Sequence, residues 1–215
     1  MFVDFIFDTI CPWCYLGKVR LERALAERPR SRAVLRWRPF MLNPEMPVGG
    51  MDRRAYLERK FGGVARVQRL NSAVIQAARS EGVTFHFDRI TRTPNTLHSH
   101  RLIRFAARYD RQAQMVEALF GAYFRHGRDI GAIEELIALG EDVGLPESEL
   151  ADYLYSEADV ATLMNDNARA HRLGVNGVPC IILDNRFAVS GAQDLDVLLR
   201  LIDLAQENQL EPVSG

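Results

Sequence analysis

The chain has 215 residues, more than the roughly 100–150 of a typical single domain and few for two. Apolar residues make up 47% of it, which is enough to build a core and argues against disorder. The net charge of −1 provides no basic field, so we expect no nucleic-acid partner and no binding to anionic lipid.

The N-terminal residues 1–10 bear on the compartment. They contain no Lys or Arg and carry Asp4 and Asp8, whereas a secretory signal peptide needs a basic start and an uninterrupted apolar stretch. No apolar run approaches the ~20 residues that span a bilayer. We therefore expect a cytoplasmic protein without membrane contact, in a compartment where most thiols are reduced.

The chain opens with a predicted strand, a helix and a second strand. Residues 2–7 are aromatic and β-branched, residues 12–27 have helical apolar spacing, and residues 33–38 alternate. A long helical stretch follows, with helices predicted at 52–60, 63–80, 96–109, 112–126, 130–143, 146–154 and 157–172. Basic residues crowd positions 53–69 at a spacing that is typical of a solvated helix face.

The strand pattern returns near the C-terminus. Residues 180–184 and 187–190 flank a two-residue turn and predict a hairpin, and a closing helix is expected over 193–206. The order β-α-β, helices, β-β-α predicts an α/β protein with a thioredoxin fold and a large all-helical insertion. We assign residues 1–50 and 173–215 to the thioredoxin-like domain, and residues 51–172 to the helical insertion domain.

Cys11-Pro12-Trp13-Cys14 is the sharpest signal in the sequence. Thiol–disulfide exchange needs one thiolate to attack and a second thiol to resolve the mixed disulfide. A cysteine at a helix N-terminus meets the positive end of the helix dipole and free backbone N–H groups, which favour its thiolate. We predict that Cys11 is the exposed nucleophile and that Cys14, one turn later, is the more buried resolving thiol.

Two other uses of this spacing fit less well. A zinc site needs further ligands, and His98 and His100 face different directions on a helix, so we expect no metal. A structural disulfide that closes so short a loop would constrain the unfolded chain little.

Gly177-Val178-Pro179 directly precedes the predicted strand 180–184. A proline at a strand start fits a turn or a cis bond, because it donates nothing to the ladder. In a thioredoxin fold this loop faces the cysteine pair. A cis Pro179 would leave the Val178 backbone free to pair with an extended substrate.

Five motifs, in order along the chain, resemble the DsbA-family oxidoreductases of the FrnE type. They are Asp8-x-x-Cys11-Pro12-Trp13-Cys14-Tyr15-x-Gly17-Lys18, Trp37-x-Pro39-Phe40-x-Leu42-Asn43-Pro44, Asn95-Thr96 with His100-Arg101, Gly174-Val175-x-Gly177-Val178-Pro179 and Ser190-Gly191-Ala192-Gln193. The resemblance implies a thioredoxin domain with a helical insertion, a redox-active cysteine pair and a cis bond at Pro179. Where family members often carry an aromatic residue after that proline, this chain has Cys180.

Several residues have both a structural and a functional interpretation. Trp13 packs or offers apolar contact surface, and Phe40 belongs to the core or lines a substrate cleft. His100 is a structural histidine or approaches the thiolate. Cys180 is a small buried strand residue or a third thiol that modulates the couple. Asp4 is a solvated acid or a proton acceptor for Cys14.

These features predict an enzyme that exchanges disulfides with protein or small-thiol substrates and binds no cofactor, with glutathione as a candidate co-substrate. The alternative is a glutathione-dependent transferase or isomerase, since kappa-class glutathione transferases and 2-hydroxychromene-2-carboxylate isomerases resemble this layout. Glutathione would then lie against Val178 and against Ser190 and Gly191, near the last helix's N-terminus. Cys14 favours exchange, because transfer needs no resolving thiol. A non-enzymatic redox switch is the third hypothesis.

Overall fold

The computed structural model describes residues 1–210, in which a four-stranded sheet is the centre of the fold. The strands are β1 (Phe2–Phe7), β2 (Val34–Pro39), β3 (Met51–Asp52), β4 (Arg92–Thr93), β5 (Cys180–Leu183) and β6 (Phe187–Ser190). The central sheet has the order β2-β1-β5-β6. Strand β1 runs parallel to β2 and antiparallel to β5, and β5 and β6 form the predicted hairpin.

The helices are α1 (Pro12–Glu27), α2 (Arg53–Phe61), α3 (Val64–Ala78), α4 (Leu97–Ala106), α5 (Gln112–Phe120), α6 (Ile133–Asp142), α7 (Glu147–Tyr155), α8 (Val160–Arg172) and α9 (Leu195–Leu210). Each predicted helix is present, and its ends lie within about three residues of the prediction, apart from two C-terminal ends. Helix α5 continues as a π-helical turn over Gly121–Arg125, and α9 runs past the expected end at 206. Residues 211–215 of the predicted C-terminal segment lie outside the described residues.

The helical segment between β2 and β5 is not wholly helical. Strands β3 and β4 pair antiparallel, with Met51 opposite Thr93 and Asp52 opposite Arg92. Asp52 also caps α2, because its carboxylate accepts a hydrogen bond from the Ala55 N–H at 2.9 Å. Two-residue strands separated by about 40 positions carry no alternation of their own, so the sequence pattern did not predict them.

One apolar core connects the sheet to the helical segment. Its members come from the sheet and from both groups of helices and are fully buried; they include Phe5 on β1, Leu16 on α1, Phe120 on α5 and Leu150 on α7. The ring of Tyr15 stacks on that of Phe120 with centroids 4.9 Å apart. The residue after the second cysteine of the motif thus anchors α1 to the helical segment.

A buried arginine holds the end of α7. Arg101 on α4 is fully buried, and its guanidinium donates hydrogen bonds to the carbonyls of Tyr153, Leu154, Ser156 and Ala158. Tyr153, Leu154 and the cap residue Ser156 are at the C-terminus of α7, where backbone acceptors lack intrahelical partners and a cation is favoured, and Ala158 lies in the loop that follows. Arg101 therefore has a structural role in this fold.

None of the helices within residues 1–210 combines the length and the apolar character needed to cross a bilayer.

Candidate active site

The sulfur of Cys11 lies at the N-terminus of α1. Cys11 is the N-cap residue, in extended conformation, and the first turn of the helix holds no acidic residue. The Cys11 N–H donates to the Asp8 carbonyl at 3.1 Å, and the Cys11 carbonyl accepts from the Cys14 N–H at 3.0 Å. These bonds fix the turn between β1 and α1, so the sulfur meets the positive end of the helix dipole.

The two thiols of the motif are free in the structure and differ in burial. Cys14 is fully buried, as expected, whereas Cys11 is also buried, with 5% of its surface exposed. Cys14 is thus the more buried of the two, as predicted, but the prediction that Cys11 is exposed was wrong. The Val178 loop and the residues of a neighbouring cleft surround its sulfur. Burial, followed by the hydrogen bond with Cys11, raises the pKa of Cys14 well above its ordinary value.

The loop around Pro179 faces Cys11. The Val178–Pro179 peptide bond is cis, as the resemblance implied, and the Cys11 thiol donates to the Val178 carbonyl with Sγ and O 3.6 Å apart. The Gly191 N–H donates to the Pro179 carbonyl at 2.7 Å. The structure thus brings together the cysteine motif, Val178, Pro179 and Gly191, with exposed Ser190 as the adjoining residue of β6.

Gly17 allows helix α1 to approach this loop. A Cβ at this position would lie 2.9 Å from Cγ of Pro179, closer than real Cβ contacts, and 3.6 Å from the Ala192 Cα. The ring of Pro179 is rigid and Pro179 is itself buried, so the space is not easily recovered. Gly17 belongs to the site through packing, which its place in the sequence motif did not explain.

Asp8 is a site residue that the sequence analysis did not single out for a role. Its carboxylate is fully buried and accepts hydrogen bonds from the Leu42 N–H at 2.7 Å and the Ile10 N–H at 3.5 Å. Its charge is among the causes that raise the pKa of Cys14. The signal in the sequence was an aspartate directly after an apolar strand and three residues before the first cysteine of the motif.

Asp4, by contrast, is held away from this chemistry. Its two carboxylate oxygens accept hydrogen bonds from Arg36 at 2.9 and 2.6 Å and from Arg38 at 2.5 Å. Asp4 lies on β1 between Val3 and Phe5, whose side chains belong to the cluster that holds Cys14, so the Asp4 side chain is on the opposite face of the sheet. The geometry therefore does not support the hypothesis that Asp4 is a proton acceptor for Cys14.

His100 lies beside Asp8 in the core. It is 3% exposed, and its Nε2 is 3.7 Å from Oδ1 of Asp8, without a hydrogen-bond partner among the described residues. Its ring packs edge-on against Phe7 with centroids 5.5 Å apart. The structure therefore brings His100 to the buried carboxylate near the motif.

Cys180 and Phe40 lie in a second buried cluster, together with Ile6 and Val175. Cys180 pairs directly with Ile6 on β1 and with Ser190 on β6, so these side chains share one face of the sheet. Cys11 and Cys14 belong to the main core cluster, and Phe40 packs against His171 with ring centroids 4.6 Å apart. Cys180 and Phe40 therefore pack in a different buried cluster from the cysteine pair, although Cys180 directly follows the loop that faces Cys11.

A mostly apolar cleft of about 260 Å³ opens next to Cys11. The motif contributes Cys11, Pro12 and Trp13, and Leu42 from the chain after β2 is also a lining residue. The opposite wall comes from α2 and α3 (Arg53, Tyr56, Leu57, Lys60, Phe61, Val67, Leu70, Asn71 and Val74). Leu42, two residues after the predicted Phe40, is thus the residue from this stretch that reaches the cleft.

No group of three or more His, Cys, Asp or Glu side chains that could hold a metal ion occurs within residues 1–210.

Comparison with known proteins places this chain in a family. The family described as the DSBA-like thioredoxin domain matches residues 2–203. A probable DsbA oxidoreductase from Streptomyces coelicolor is 28% identical, with a TM-score of 0.89 over 100% of this chain and 93% of that chain.

Two further solved structures share the fold. A 2-hydroxychromene-2-carboxylate isomerase is 20% identical, with a TM-score of 0.73 over 99% of this chain and 100% of that chain. The cytosolic disulfide reductase DsbM from Pseudomonas aeruginosa, solved with GSH, is 22% identical, with a TM-score of 0.64 over 98% of this chain and 99% of that chain. The chain belongs to the DSBA-like thioredoxin domain family and is an enzyme of the oxidoreductase or isomerase type.

Proposed function

We propose that Cys11 and Cys14 form a redox couple that exchanges disulfides with proteins or small thiols. The observation that carries this proposal is the position of the Cys11 sulfur. It lies at the N-terminus of α1, its thiol donates to the Val178 carbonyl at 3.6 Å, and a fully buried thiol follows one turn later. A helix N-terminus favours the thiolate that attacks, and a buried partner suits resolution.

The exchange balances with these two thiols alone. The Cys11 thiolate attacks one sulfur of a substrate disulfide, and the other substrate sulfur leaves as a thiolate. Cys14 then loses its proton and attacks the Cys11 sulfur, so the second substrate sulfur leaves and the protein holds the disulfide. We assign Asp8 as the carboxylate that accepts the Cys14 proton, since it is fully buried and lies directly before the motif, where its backbone carbonyl accepts from the Cys11 N–H at 3.1 Å.

The substrate backbone would bind at the cis-proline loop. Val178 precedes β5 and lies outside the ladder, so its backbone can pair with an extended segment as an added strand. Ser190 and Gly191 adjoin it at the end of β6, and half-buried Trp13 and Pro12 supply apolar contact surface beside the sulfur. These assignments support a substrate that lies across the Cys11 sulfur.

We further propose that glutathione is a co-substrate and that the protein works in the cytoplasm. Both proposals rest on the shared fold with a disulfide reductase that is described as cytosolic and was solved with GSH. One glutathione thiolate would attack the Cys11–Cys14 disulfide and form a mixed disulfide with one cysteine, while the other leaves as a thiolate. A second glutathione would then attack the glutathione sulfur of that mixed disulfide, so that oxidised glutathione leaves and the protein returns to the dithiol.

A glutathione-dependent transferase or isomerase is the second candidate, favoured by the fold shared with the isomerase. Two features weigh against it. The buried resolving thiol of Cys14 has no use in transfer. In addition, the start of α9, where a glutathione carboxylate would bind, already carries the Asp194 carboxylate, paired with Arg20 at 2.8 Å.

The test is a glutathione redox titration of the wild type and of Cys14→Ser, quenched with acid, alkylated and measured as intact mass. We expect one two-electron transition in the wild type and a glutathione mixed disulfide in Cys14→Ser. If the wild type instead holds glutathione without closing a disulfide, the transferase or isomerase proposal replaces this one.

A further inference from the structure

The cleft beside Cys11 is built from one face of each of two helices. On α2 the lining residues Arg53, Tyr56, Leu57, Lys60 and Phe61 follow the spacing i, i+3, i+4, i+7, i+8. On α3 the lining residues Val67, Leu70, Asn71 and Val74 follow i, i+3, i+4, i+7. Such spacing identifies the inner face of a helix, which ordinarily packs on other protein. Here both faces turn towards the reactive sulfur, and Leu70 keeps 40% of its surface exposed.

Two cations also belong to these inner faces. The sequence predicted a solvated outer face for the basic residues at 53–69, but Arg53 and Lys60 line the cleft. Arg53 donates to the hydroxyl of Tyr123 at 3.0 Å, and Lys60 to Oδ1 of Asn43 at 2.7 Å. Neither forms an ion pair with a carboxylate among the described residues, whereas the neighbouring Arg54 pairs with Glu58 at 2.9 Å.

The charge of this wall opposes that of the whole chain. The lining residues include the two cations Arg53 and Lys60, in a protein whose net charge is −1. The lining residues of the cleft that the structure describes include no Asp or Glu. A cleft with low-dielectric walls and charge of one sign attracts ligands of the opposite sign.

We infer that this cleft binds an acidic and apolar peptide segment next to the disulfide of a protein substrate. The inference rests on the proposed function and specifies its substrate class. An apolar side chain of the substrate fills the space between Trp13 and Leu70, and a carboxylate beside it meets Lys60 and Arg53. The volume of about 260 Å³ is smaller than the about 300–1,000 Å³ that enclose a whole drug-sized ligand, so it suits side chains of a bound segment.

Glutathione fits this cleft less well than such a peptide. It carries carboxylates, but it has no large apolar side chain to cover the apolar surface of Tyr56, Leu57 and Phe61. Leaving that surface in water forgoes about 25 cal/mol for each Å² of apolar area. The cleft therefore distinguishes an acidic, apolar peptide from glutathione, and the cis-proline loop remains the common site for the cysteine itself.

The experiment compares short peptides that carry one cysteine as a mixed disulfide with neutral 2-thiopyridine. The cysteine is followed by Phe and two Glu, by Phe and two Lys, or by Gly and two Glu. Reduced protein attacks the peptide sulfur and releases thiopyridone, which is followed by absorbance. Cys14 then closes the protein disulfide and releases the peptide thiol. Each rate is divided by the same variant's rate with dipyridyl disulfide.

We expect the wild type to prefer the Phe-Glu-Glu peptide over the Phe-Lys-Lys peptide by about tenfold, with the preference falling as salt rises. Lys60→Glu should abolish or invert this preference. Arg59→Glu, its matched control, changes the net charge equally at a neighbouring exposed residue outside the cleft, and should keep the preference within about twofold of the wild type.

A second pair of variants tests the apolar lining of the cleft. Leu70→Ser should reduce the preference for Phe over Gly by about threefold or more, because it removes lining apolar surface. Ile75→Ser on the same helix is the control, since Ile75 is 37% exposed and does not line the cleft. Equal losses in Leu70→Ser and Ile75→Ser would contradict the assignment of the apolar site.

The inference is overturned if the wild type treats acidic and basic peptides alike. It is also overturned if Lys60→Glu and Arg59→Glu behave alike, or if the mixed disulfide of glutathione with 2-thiopyridine reacts as fast as the Phe-Glu-Glu peptide. The proposed function fails separately, if the redox titration yields no Cys11–Cys14 disulfide. A normal titration without peptide preference would leave exchange intact and remove only the cleft assignment.

Discussion

Cys11 and Cys180 are almost equally buried, with 5% and 4% of their surfaces exposed, yet their surroundings differ in kind. Cys11 lies at a helix N-terminus, its thiol contacts the Val178 carbonyl, and it lines a cleft. Cys180 lies within a strand on the face of the sheet that carries Ile6 and Phe40. Burial raises the pKa of Cys180, and only the contact with Ser190 opposes it.

Accessible surface is therefore a poor guide to reactive sulfur in this molecule. What separates the two thiols is the end of a helix, an open space for a partner molecule and a second sulfur one turn away. Strand β5 offers none of these, since the main chain at Cys180 is engaged in the ladder with β1 and β6. The variants below test whether this difference decides function.

Removal of the Cys11 sulfur should have the largest effect. We expect Cys11→Ser to lower the rate of disulfide exchange by about a thousandfold or more, because a serine hydroxyl does not form the attacking thiolate. Thiopyridone release from dipyridyl disulfide measures the rate, and circular dichroism checks that the variant is folded. Exchange that persists through Cys14 or Cys180 would contradict the assignment of the nucleophile.

The second largest effect is expected on stability, when the packing of α1 against the cis-proline loop is disturbed. We expect Gly17→Ala to destabilise the protein by about 1–3 kcal/mol, since its Cβ would lie 2.9 Å from Cγ of Pro179. That cost exceeds the gain of about 1 kcal/mol that alanine brings to a helix. Urea unfolding measures the difference.

Gly177→Ala is the matched control for this variant. Gly177 lies in the same loop, no atom lies within 4 Å of a Cβ built there, and its φ is outside the left-handed region. Its stability should change by less than about 0.5 kcal/mol. A Gly17→Ala protein as stable as Gly177→Ala would show that α1 and the loop are not in the close contact described.

The raised pKa of Cys14 predicts a pH dependence of the reduced protein. Burial, and then the hydrogen bond with Cys11, keep the folded state's thiol neutral to higher pH than in the unfolded chain. The stability from this group is complete below the unfolded thiol pKa of about 8.5 and is lost as pH rises towards the folded value. The loss reaches about 1.4 kcal/mol per pH unit.

Urea unfolding of the reduced wild type, Cys14→Ala and Cys180→Ala at increasing alkaline pH measures this dependence. Cys14→Ala should flatten the decline most, and Cys180→Ala less, because the pKa of Cys180 is raised to a smaller extent. Tyr123, whose pKa burial raises to about 12, begins to contribute only above the unfolded tyrosine pKa of about 10. Identical slopes in all three proteins would contradict the burial of Cys14.

The sequence predicted the elements whose signal is local. Strand β1, helix α1 and the β5–β6 hairpin carry their own periodicity, and the cysteine spacing defines a helix turn without reference to the rest of the fold. The cysteine motif and the order of elements followed from such segments, whereas the cis bond at Pro179 was implied by the family resemblance. The division at residues 51 and 172 remains a prediction, since one core cluster crosses it.

The features that the sequence did not predict depend on contacts between residues that are distant in sequence. Asp8 reaches Leu42, Gly17 reaches Pro179, and Arg101 reaches the end of α7, and no pattern near any one partner identifies the other. Helical periodicity at 53–60 does not tell which residues line a cleft when one lies beside the helix. Arg54, Arg59, Arg66 and Arg69 are exposed, as the expected solvated face requires, whereas half-buried Arg53 and exposed Lys60 line the cleft.

Substitution of Cys180 should have the smallest effect on exchange. We expect Cys180→Ala to change the exchange rate by less than about twofold and the stability by about 1 kcal/mol, because it removes one small buried side chain that belongs to a different cluster from Cys11 and Cys14. Disulfide mapping after mild oxidation should find Cys180 free while Cys11 and Cys14 are joined. A disulfide between Cys180 and Cys11 would contradict this prediction, because it would require the Cys180 side chain to lie on the other face of the sheet. Adjacent residues of a strand alternate between faces, so that result would imply a register of β5 against β1 shifted by one residue. The difference in surroundings between the two thiols would then no longer hold.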